Sequence, residues 1–279
     1  MSAPGLTLPD RAAFQANGYA RISGPAIADL KAQLETAMLG AARLAAKRLL
    51  PEDLYRGAPD TDCLETLIAW LHRVESGNAV TRALYEVFPT LPAVIASIDH
   101  PALRAACDWA GLEAPSAGTL PLVRLDRPGD TRFATPAHQD YWYSMLSPNA
   151  VTLWLPLCTI NDDIGPLLAV PGSHAGGLKP FRPHETGHEW YEAADAVPDG
   201  DFVPLPMARD EILIFNQALL HKSGANRSDR VRISVQFRFN DLATAERLTA
   251  TYTPSLSRYV LDRQAEHLDD RKDTRNTAA

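Results

Sequence analysis

Cysteine is scarce in this chain. Cys63, Cys107 and Cys158 stand far apart, form no CxxC pair and are odd in number. That pattern argues against a disulfide scaffold and for reduced thiols in a cytoplasmic setting. As small apolar side chains they need no reactive role. Long hydrophobic runs are missing too. No uninterrupted apolar stretch reaches the ~20 residues that span a bilayer, so no membrane segment is expected. Met1–Asp10 has neither the basic start nor the apolar stretch of a secretory signal. Basic residues are outnumbered, 27 against 34 acidic, for a net charge of −7. Nucleic-acid binding wants a basic footprint, so nucleic acid is not an expected partner. No internal repeat or low-complexity linker interrupts the chain.

What is present is an ordinary globular composition, 279 residues of which 46% are hydrophobic and 22% charged. The length suits one large domain, expected over residues 1–264, with a charged tail at 265–279. The first part, to about residue 118, reads as helical. Asp10 is placed to cap a short helix that contains Phe14 and ends near Gly18. Ile27–Leu50 carries apolar residues at helical spacing and is closed by Pro51. Asp62–Phe88 is a second helical stretch with a break expected at Gly77, and His100–Gly111 a third. From Thr119 the pattern changes to short alternating runs between Pro, Gly, Asn and Asp clusters. Leu120–Leu125, Val151–Leu157, Leu167–Val170, Glu211–Asn216 and Val231–Phe239 read as strands. Helices followed by strands predict an α+β protein whose β part, about 119–245, is a sandwich or barrel.

The chemistry-bearing residues fall in that β part. His138 and Asp140 are separated by one residue, and on extended backbone i and i+2 side chains share a face. One metal ion can be gripped by both. Alone, such a pair is common and equally describes a surface histidine beside a turn aspartate. His221 follows the apolar strand 211–216, and Arg232 lies 11 residues further on. Two imidazoles and a carboxylate are the protein ligands of a facial-triad non-heme Fe(II) site, which keeps coordination positions open. In the last strand, Val231, Ile233, Val235, Phe237 and Phe239 alternate with Arg232, Ser234, Gln236, Arg238 and Asn240. The polar face is either solvated or lines the interior of a barrel that holds a polar ligand. The upstream His-x-Asp and His221 favour the second reading.

Taken together, these motifs resemble the phytanoyl-CoA dioxygenase family of Fe(II)/2-oxoglutarate-dependent oxygenases. The resemblance rests on His138-Gln139-Asp140, on Val170-Pro171-Gly172-Ser173-His174 continuing through Gly177-Leu178-Lys179-Pro180, and on His221, Ser223, Asn226, Ser228 and Arg232. Phe14–Tyr19 adds the family's opening helix-to-strand segment, so the likeness covers roughly residues 10 to 245. It implies a double-stranded β-helix, or jelly roll, with flanking N-terminal helices. It implies His138, Asp140 and His221 as iron ligands, and Arg232 as the partner of the distal carboxylate of 2-oxoglutarate. Ser223, Trp154 and, more weakly, Gln139 are carried over as further cosubstrate contacts. Arg124 could face the same site but aligns with nothing firm. The implied activity is O2-dependent hydroxylation with release of succinate and CO2. Related halogenases lack the carboxylate that Asp140 supplies here, so hydroxylation or another oxidation is expected instead.

Other readings stay open beside it. His174 reads as structural rather than as a ligand. His184 and His188 have metal-binding helical spacing, but Pro183 and Gly187 argue for a surface loop. That loop, Lys179–Asp201, is alternatively a lid over the substrate. Tyr141, Trp142 and Tyr143 line a pocket or pack at its rim, and Tyr141, Tyr143, Gln236 and Arg238 are the candidate substrate contacts. A cupin-like metal isomerase or hydrolase, or a non-catalytic binding protein, could share the barrel.

Overall fold

Asp10 opens the first helix, its carboxylate accepting from the Ala12 N–H at 2.9 Å, and Gly18 closes it in the left-handed region at φ 80°. The computed structural model describes residues 5–131, 134–144, 147–183, 191–193, 195 and 197–245. His184, His188 and the expected tail at 265–279 lie outside the described residues. The helical part runs α1 (Arg11–Asn17), α2 (Pro25–Leu49), α3 (Glu52–Tyr55), α4 (Leu64–Val74), α5 (Ala79–Val87), α6 (Pro92–Ala96) and α7 (Pro101–Ala110), with β1 (Tyr19–Ser23) between the first two helices. Then follow β2 (Pro115–Ala117), β3 (Leu122–Asp126), α8 (Tyr141–Ser144), β4 (Ala150–Pro156), β5 (Leu167–Ala169), β6 (Phe181–Pro183), β7 (Tyr191–Ala193), β8 (Val203–Leu205), β9 (Glu211–Asn216), β10 (His221–Ser223) and β11 (Arg232–Asp241).

Two antiparallel sheets carry the site. The larger has the order β1-β9-β4-β11-β2, with β3 also on β11, and the smaller has β10-β5-β8. All of β4 is buried, because both faces of the large sheet are covered. One face, Val151, Leu153, Leu155, Ile212, Ile214, Val235 and Phe237, packs on the helices. α2 meets it through Ile27, Leu30, Leu34, Met38 and Ala42, a stripe at three- and four-residue spacing. Each fully buried Leu or Ile of this kind contributes roughly 1.5–3 kcal/mol. The opposite face, Trp154, Leu213 and Phe215, packs against Leu167, Ala169 and Leu205 of the small sheet. Two sheets facing across their own core, with helices outside, make an α+β jelly roll.

The structure moves some expected boundaries. β1 lies in the segment read as helical. It pairs along its length with β9, Tyr19 opposite Phe215 and Ser23 opposite Glu211. With β2 it joins the large sheet, so helices and sheet are not divided at residue 118. The break expected at Gly77 is present and spans residues 75–78, between α4 and α5, with Gly77 at φ 87° and Asn78 at φ 58°. The segment 179–201 is not plain loop. β6 and β7 pair within it, and Ala193 N–H donates to Ala137 O at 2.7 Å, tying the hairpin to the residue before His138.

Candidate metal centre

His221 is the first residue of β10, whose partner is β5. Residues 135–138 run along the other side of β10. Ser223 N–H donates to Thr135 O at 3.0 Å, and His138 and His221 exchange N–H···O bonds at 2.9 and 3.0 Å. That exchange sets the two imidazoles side by side, ring centroids 4.2 Å apart. The extended backbone expected at His138-Gln139-Asp140 is only this one bridge. Asp140 already starts a turn, its carbonyl accepting from Tyr143 N–H at 3.0 Å, and the aromatic run forms α8. The two side chains still converge.

His138, Asp140 and His221 are all buried, and one ligand atom from each lies within 4.8 Å of the others. Asp140 Oδ1 is 3.3 Å from His138 Nε2 and 3.9 Å from His221 Nε2. His138 Nδ1 contacts Pro136 O at 2.8 Å, and His221 Nδ1 contacts Leu219 O at 3.0 Å. A carbonyl only accepts, so each Nδ1 carries a proton and each Nε2 faces the trio. Burial, and then His138 beside it, lower the His221 pKa to about 3, keeping that ring neutral as a metal ligand requires. Burial works to raise the Asp140 pKa, but Arg238 and the two histidines outweigh it and hold the group well below the usual carboxylate range. Thr152 Oγ donates to Asp140 Oδ2 at 2.7 Å, which turns Oδ1 toward the histidines. Two imidazoles and an ionised carboxylate with a common focus are a donor set for a divalent ion such as Fe(II).

Arg232 is buried and takes part in a charge cluster. It reaches Asp126 Oδ2 through Nε at 3.1 Å and Nη2 at 3.0 Å. Its Nη1 donates to Gly165 O and, at 3.3 Å, to Gly224 O. A Cβ on Gly165 would sit 2.6 Å from Gly224 O, so only glycine lets the two loops close around the guanidinium. Arg124 holds the other Asp126 oxygen at 2.7 Å and donates to Thr135 Oγ1 at 2.8 Å. Burial raises the Asp126 pKa, yet Arg232 and Arg124 together depress it below its ordinary value. Ser223 Oγ accepts from Thr135 N–H at 3.1 Å, one residue from that cluster. Trp154 and Gln236 sit opposite one another on β4 and β11, on the site face of the sheet.

Gln139 is placed differently from the cosubstrate contact expected of it. Its Nε2 donates to Gly177 O at 3.0 Å and Ala218 O at 2.6 Å, and its Oε1 accepts from Lys179 N–H at 2.8 Å. The amide clamps two loops beside the trio. His174 also faces away. Its Nε2 contacts Gln15 O at 3.0 Å, and its ring lies where a Cβ on Gly18 would be, 2.4 Å from Nδ1, which binds the Pro-Gly-Ser-His turn to α1. Tyr143 is brought to the centre, 5.8 Å from the His138 ring, with the Arg238 guanidinium 5.4 Å from its own ring. The Tyr141 ring packs edge-on to Trp142, which in turn meets Phe181 of the hairpin. Arg238 Nη2 donates to Asp140 Oδ1 at 2.9 Å and to Gln236 Oε1 at 3.3 Å.

Thr152 and Asp126 were not singled out in the sequence. Thr152 is a lone hydroxyl in an apolar strand, and Asp126 follows Arg124 at the same-face spacing of a strand, so both left a faint signal. A separate cleft of about 160 Å³, lined by Glu35, Cys63, Glu65, Cys158 and Arg209 among others, shares no residue with the trio.

A His-Asp-His trio inside a jelly roll defines a class of protein built around a divalent metal ion. The chain belongs to the phytanoyl-CoA dioxygenase (PhyH) family, which residues 14–234 match. The peroxisomal phytanoyl-CoA dioxygenase of Rattus norvegicus is 28% identical over 130 residues, covering 43% of this chain and 38% of the relative. The 1-deoxypentalenic acid 11-beta-hydroxylase of Streptomyces exfoliatus is 30% identical over 100 residues, covering 34% of this chain and 35% of the relative. The chain thus spans less than half the length of these curated relatives. Among solved structures, the non-heme alpha ketoglutarate dependent carbocyclase SnoK from nogalamycin biosynthesis superposes with a TM-score of 0.54 at 18% identity, over 92% of this chain and 91% of its own, a likeness of fold. No helix among the described residues is long and apolar enough to cross a membrane.

Proposed function

We propose that the protein is an Fe(II)- and 2-oxoglutarate-dependent dioxygenase that hydroxylates an aliphatic C–H bond of a polar small molecule. The observation that carries this reading is the focus of two Nε2 atoms and Asp140 Oδ1 within 4.8 Å, in a chain of this family. Fe(II) with 2-oxoglutarate and O2 supplies the oxidising chemistry, with succinate and CO2 as coproducts. The chain's own residues hold and orient. His138, Asp140 and His221 hold the ion. Arg232, sharing Asp126 with Arg124, and Ser223 hold the distal carboxylate of the cosubstrate, which the net positive charge of an Arg–Asp–Arg cluster favours. Trp154 packs beside the cosubstrate, and Gln139 acts on it indirectly through the loops it clamps. Tyr141, Tyr143, Gln236 and Arg238 belong to the substrate side. The described residues act as one domain, and the unpaired thiols Cys63, Cys107 and Cys158 support a cytoplasmic setting.

One observation favours a second reading. Arg232 is engaged by Asp126 and two carbonyls, as suits a metal-dependent isomerase or hydrolase that needs no 2-oxoglutarate anchor. Anaerobic titration of the protein with Fe(II) and then 2-oxoglutarate separates the two. A visible metal-to-ligand charge-transfer band that is lost in His221→Ala supports the dioxygenase. Bound iron without that band supports the second reading. Fractionation of cells expressing the chain checks the compartment.

A further inference from the structure

Asp140 Oδ1 serves two cations. It is the carboxylate oxygen that faces the two histidine Nε2 atoms, and it also accepts from Arg238. Once that oxygen ligates a divalent ion, its single negative charge is shared between two cations and no longer neutralises the guanidinium. Arg238 is largely buried, with its side chain 11% exposed. A buried cation in that position is costly unless an anion meets it. The neighbouring polar atoms point the same way. Arg238 Nε is buried without a hydrogen-bond partner, and so are both amide atoms of Asn240, a residue 1% exposed on the same face of β11. Buried polar groups are almost always paired, so orphaned donors side by side mark a place where a ligand group or water completes the set. The guanidinium is also fixed in orientation, by Gln236 Oε1 on one edge and the Tyr143 ring against it.

We propose that the substrate carries a carboxylate, bound by Arg238 and Asn240 on the Asp140 side of the metal centre. This rests on the dioxygenase reading and names the substrate class within it. A guanidinium donates two parallel N–H bonds to a carboxylate, and the Asn240 amide adds a neutral donor, so an acid is selected over its neutral amide. The site excludes cationic substrates for the same reason.

Matched pairs of acid and amide test this directly: octanoate with octanamide, benzoate with benzamide, and cyclohexanecarboxylate with its carboxamide. Each is titrated calorimetrically into the anaerobic protein loaded with Fe(II) and 2-oxoglutarate, while the charge-transfer band is recorded. In at least one pair the acid should bind roughly tenfold or more tighter than the amide with the band retained. Arg238→Gln should erase the preference and Arg238→Lys should keep part of it. Asn240→Ala should weaken the acid several-fold without altering the band. It touches neither the trio nor Arg238's bond to Asp140, so it stands as the test if Arg238→Gln does not fold. Equal binding of acids and amides, no binding by any acid, or a preference that survives Arg238→Gln overturns the proposal. So does loss of 2-oxoglutarate binding in Arg238→Gln with acid binding intact, which would assign the guanidinium to the cosubstrate's carboxylate. Failure of the wild-type protein to form the band would instead count against the dioxygenase reading. The acid preference, measured on the protein loaded with the divalent ion alone, would then still decide the anion site.

Discussion

The two faces of β11 do different work on the same ten residues. Toward the helices it presents Ile233, Val235, Phe237 and Phe239, all buried in the main core. Toward the small sheet it presents Arg232, Ser234, Gln236, Arg238 and Asn240, of which Arg232, Ser234 and Asn240 are equally buried. The apolar face gains from burial outright. The polar face is buried at a cost that ion pairs and hydrogen bonds must offset, and it leaves Ser234 Oγ, Arg238 Nε and the Asn240 amide unmatched. The helix face therefore holds the fold together, and the inner face is shaped for something that is not protein.

That contrast can be broken from either side. The largest expected effect is on the inner face. His221→Ala should remove Fe(II) binding and the charge-transfer band together, by more than the ~10–100-fold that loss of a supporting partner costs, with little loss of thermal stability. Titration of Fe(II) alongside a melting curve checks both. Next comes the helix face. Phe237→Ala should cost about 3–5 kcal/mol of unfolding free energy, read from urea denaturation, while the folded fraction still binds iron. An equal loss of metal affinity would show that the two faces are not separable. Arg232→Ala should weaken 2-oxoglutarate by about 2–5 kcal/mol, tens- to thousands-fold, and leave iron binding in place. If 2-oxoglutarate binding survives, Arg124 is the residue to replace next. Thr152→Val keeps shape but frees Asp140 Oδ2, and should lower Fe(II) affinity about 10–100-fold.

The smallest effect sharpens the helix side, where Lys31 is a buried cation on α2. Its Nζ donates to Arg209 O and Glu211 O at the start of β9, and burial lowers its pKa to about 7. Below that value the folded state carries the charge at a cost. Between about 7 and the ordinary 10.5 the unfolded chain binds a proton that the folded chain does not. Stability should rise with pH across that window, by at most about 1.4 kcal/mol per pH unit from this group. Lys31→Met should flatten the slope in urea denaturation curves recorded across the same window.

The elements with a strong periodic signal were legible. The α2 stripe, the strand Glu211–Asn216 and the alternation of β11 stand in the structure where the spacing puts them. The weaker elements were not. β1 is five residues long with half its side chains outward, and only its pairing with β9 makes it a strand. The backbone at His138-Gln139-Asp140 leaves extended geometry after one bridge, because the Gln139 amide is drawn to three backbone groups far away in sequence.

Side-chain identity was enough to mark His138, Asp140 and His221 as metal-ligand types, and the two-residue repeat of a strand marked the polar face of β11; the role expected of Arg232 came with the family resemblance. The pairing of charges was beyond them. That Asp126 lies between Arg124 and Arg232, that Thr152 turns Asp140, and that Arg238 shares the Asp140 oxygen facing the histidines are all contacts between segments remote in sequence. Which cation meets which carboxylate, and which polar atoms are left over for a ligand, is settled only when the sheets close and water is excluded. An ion pair's strength depends on distance and burial, and neither exists in the chain before it folds.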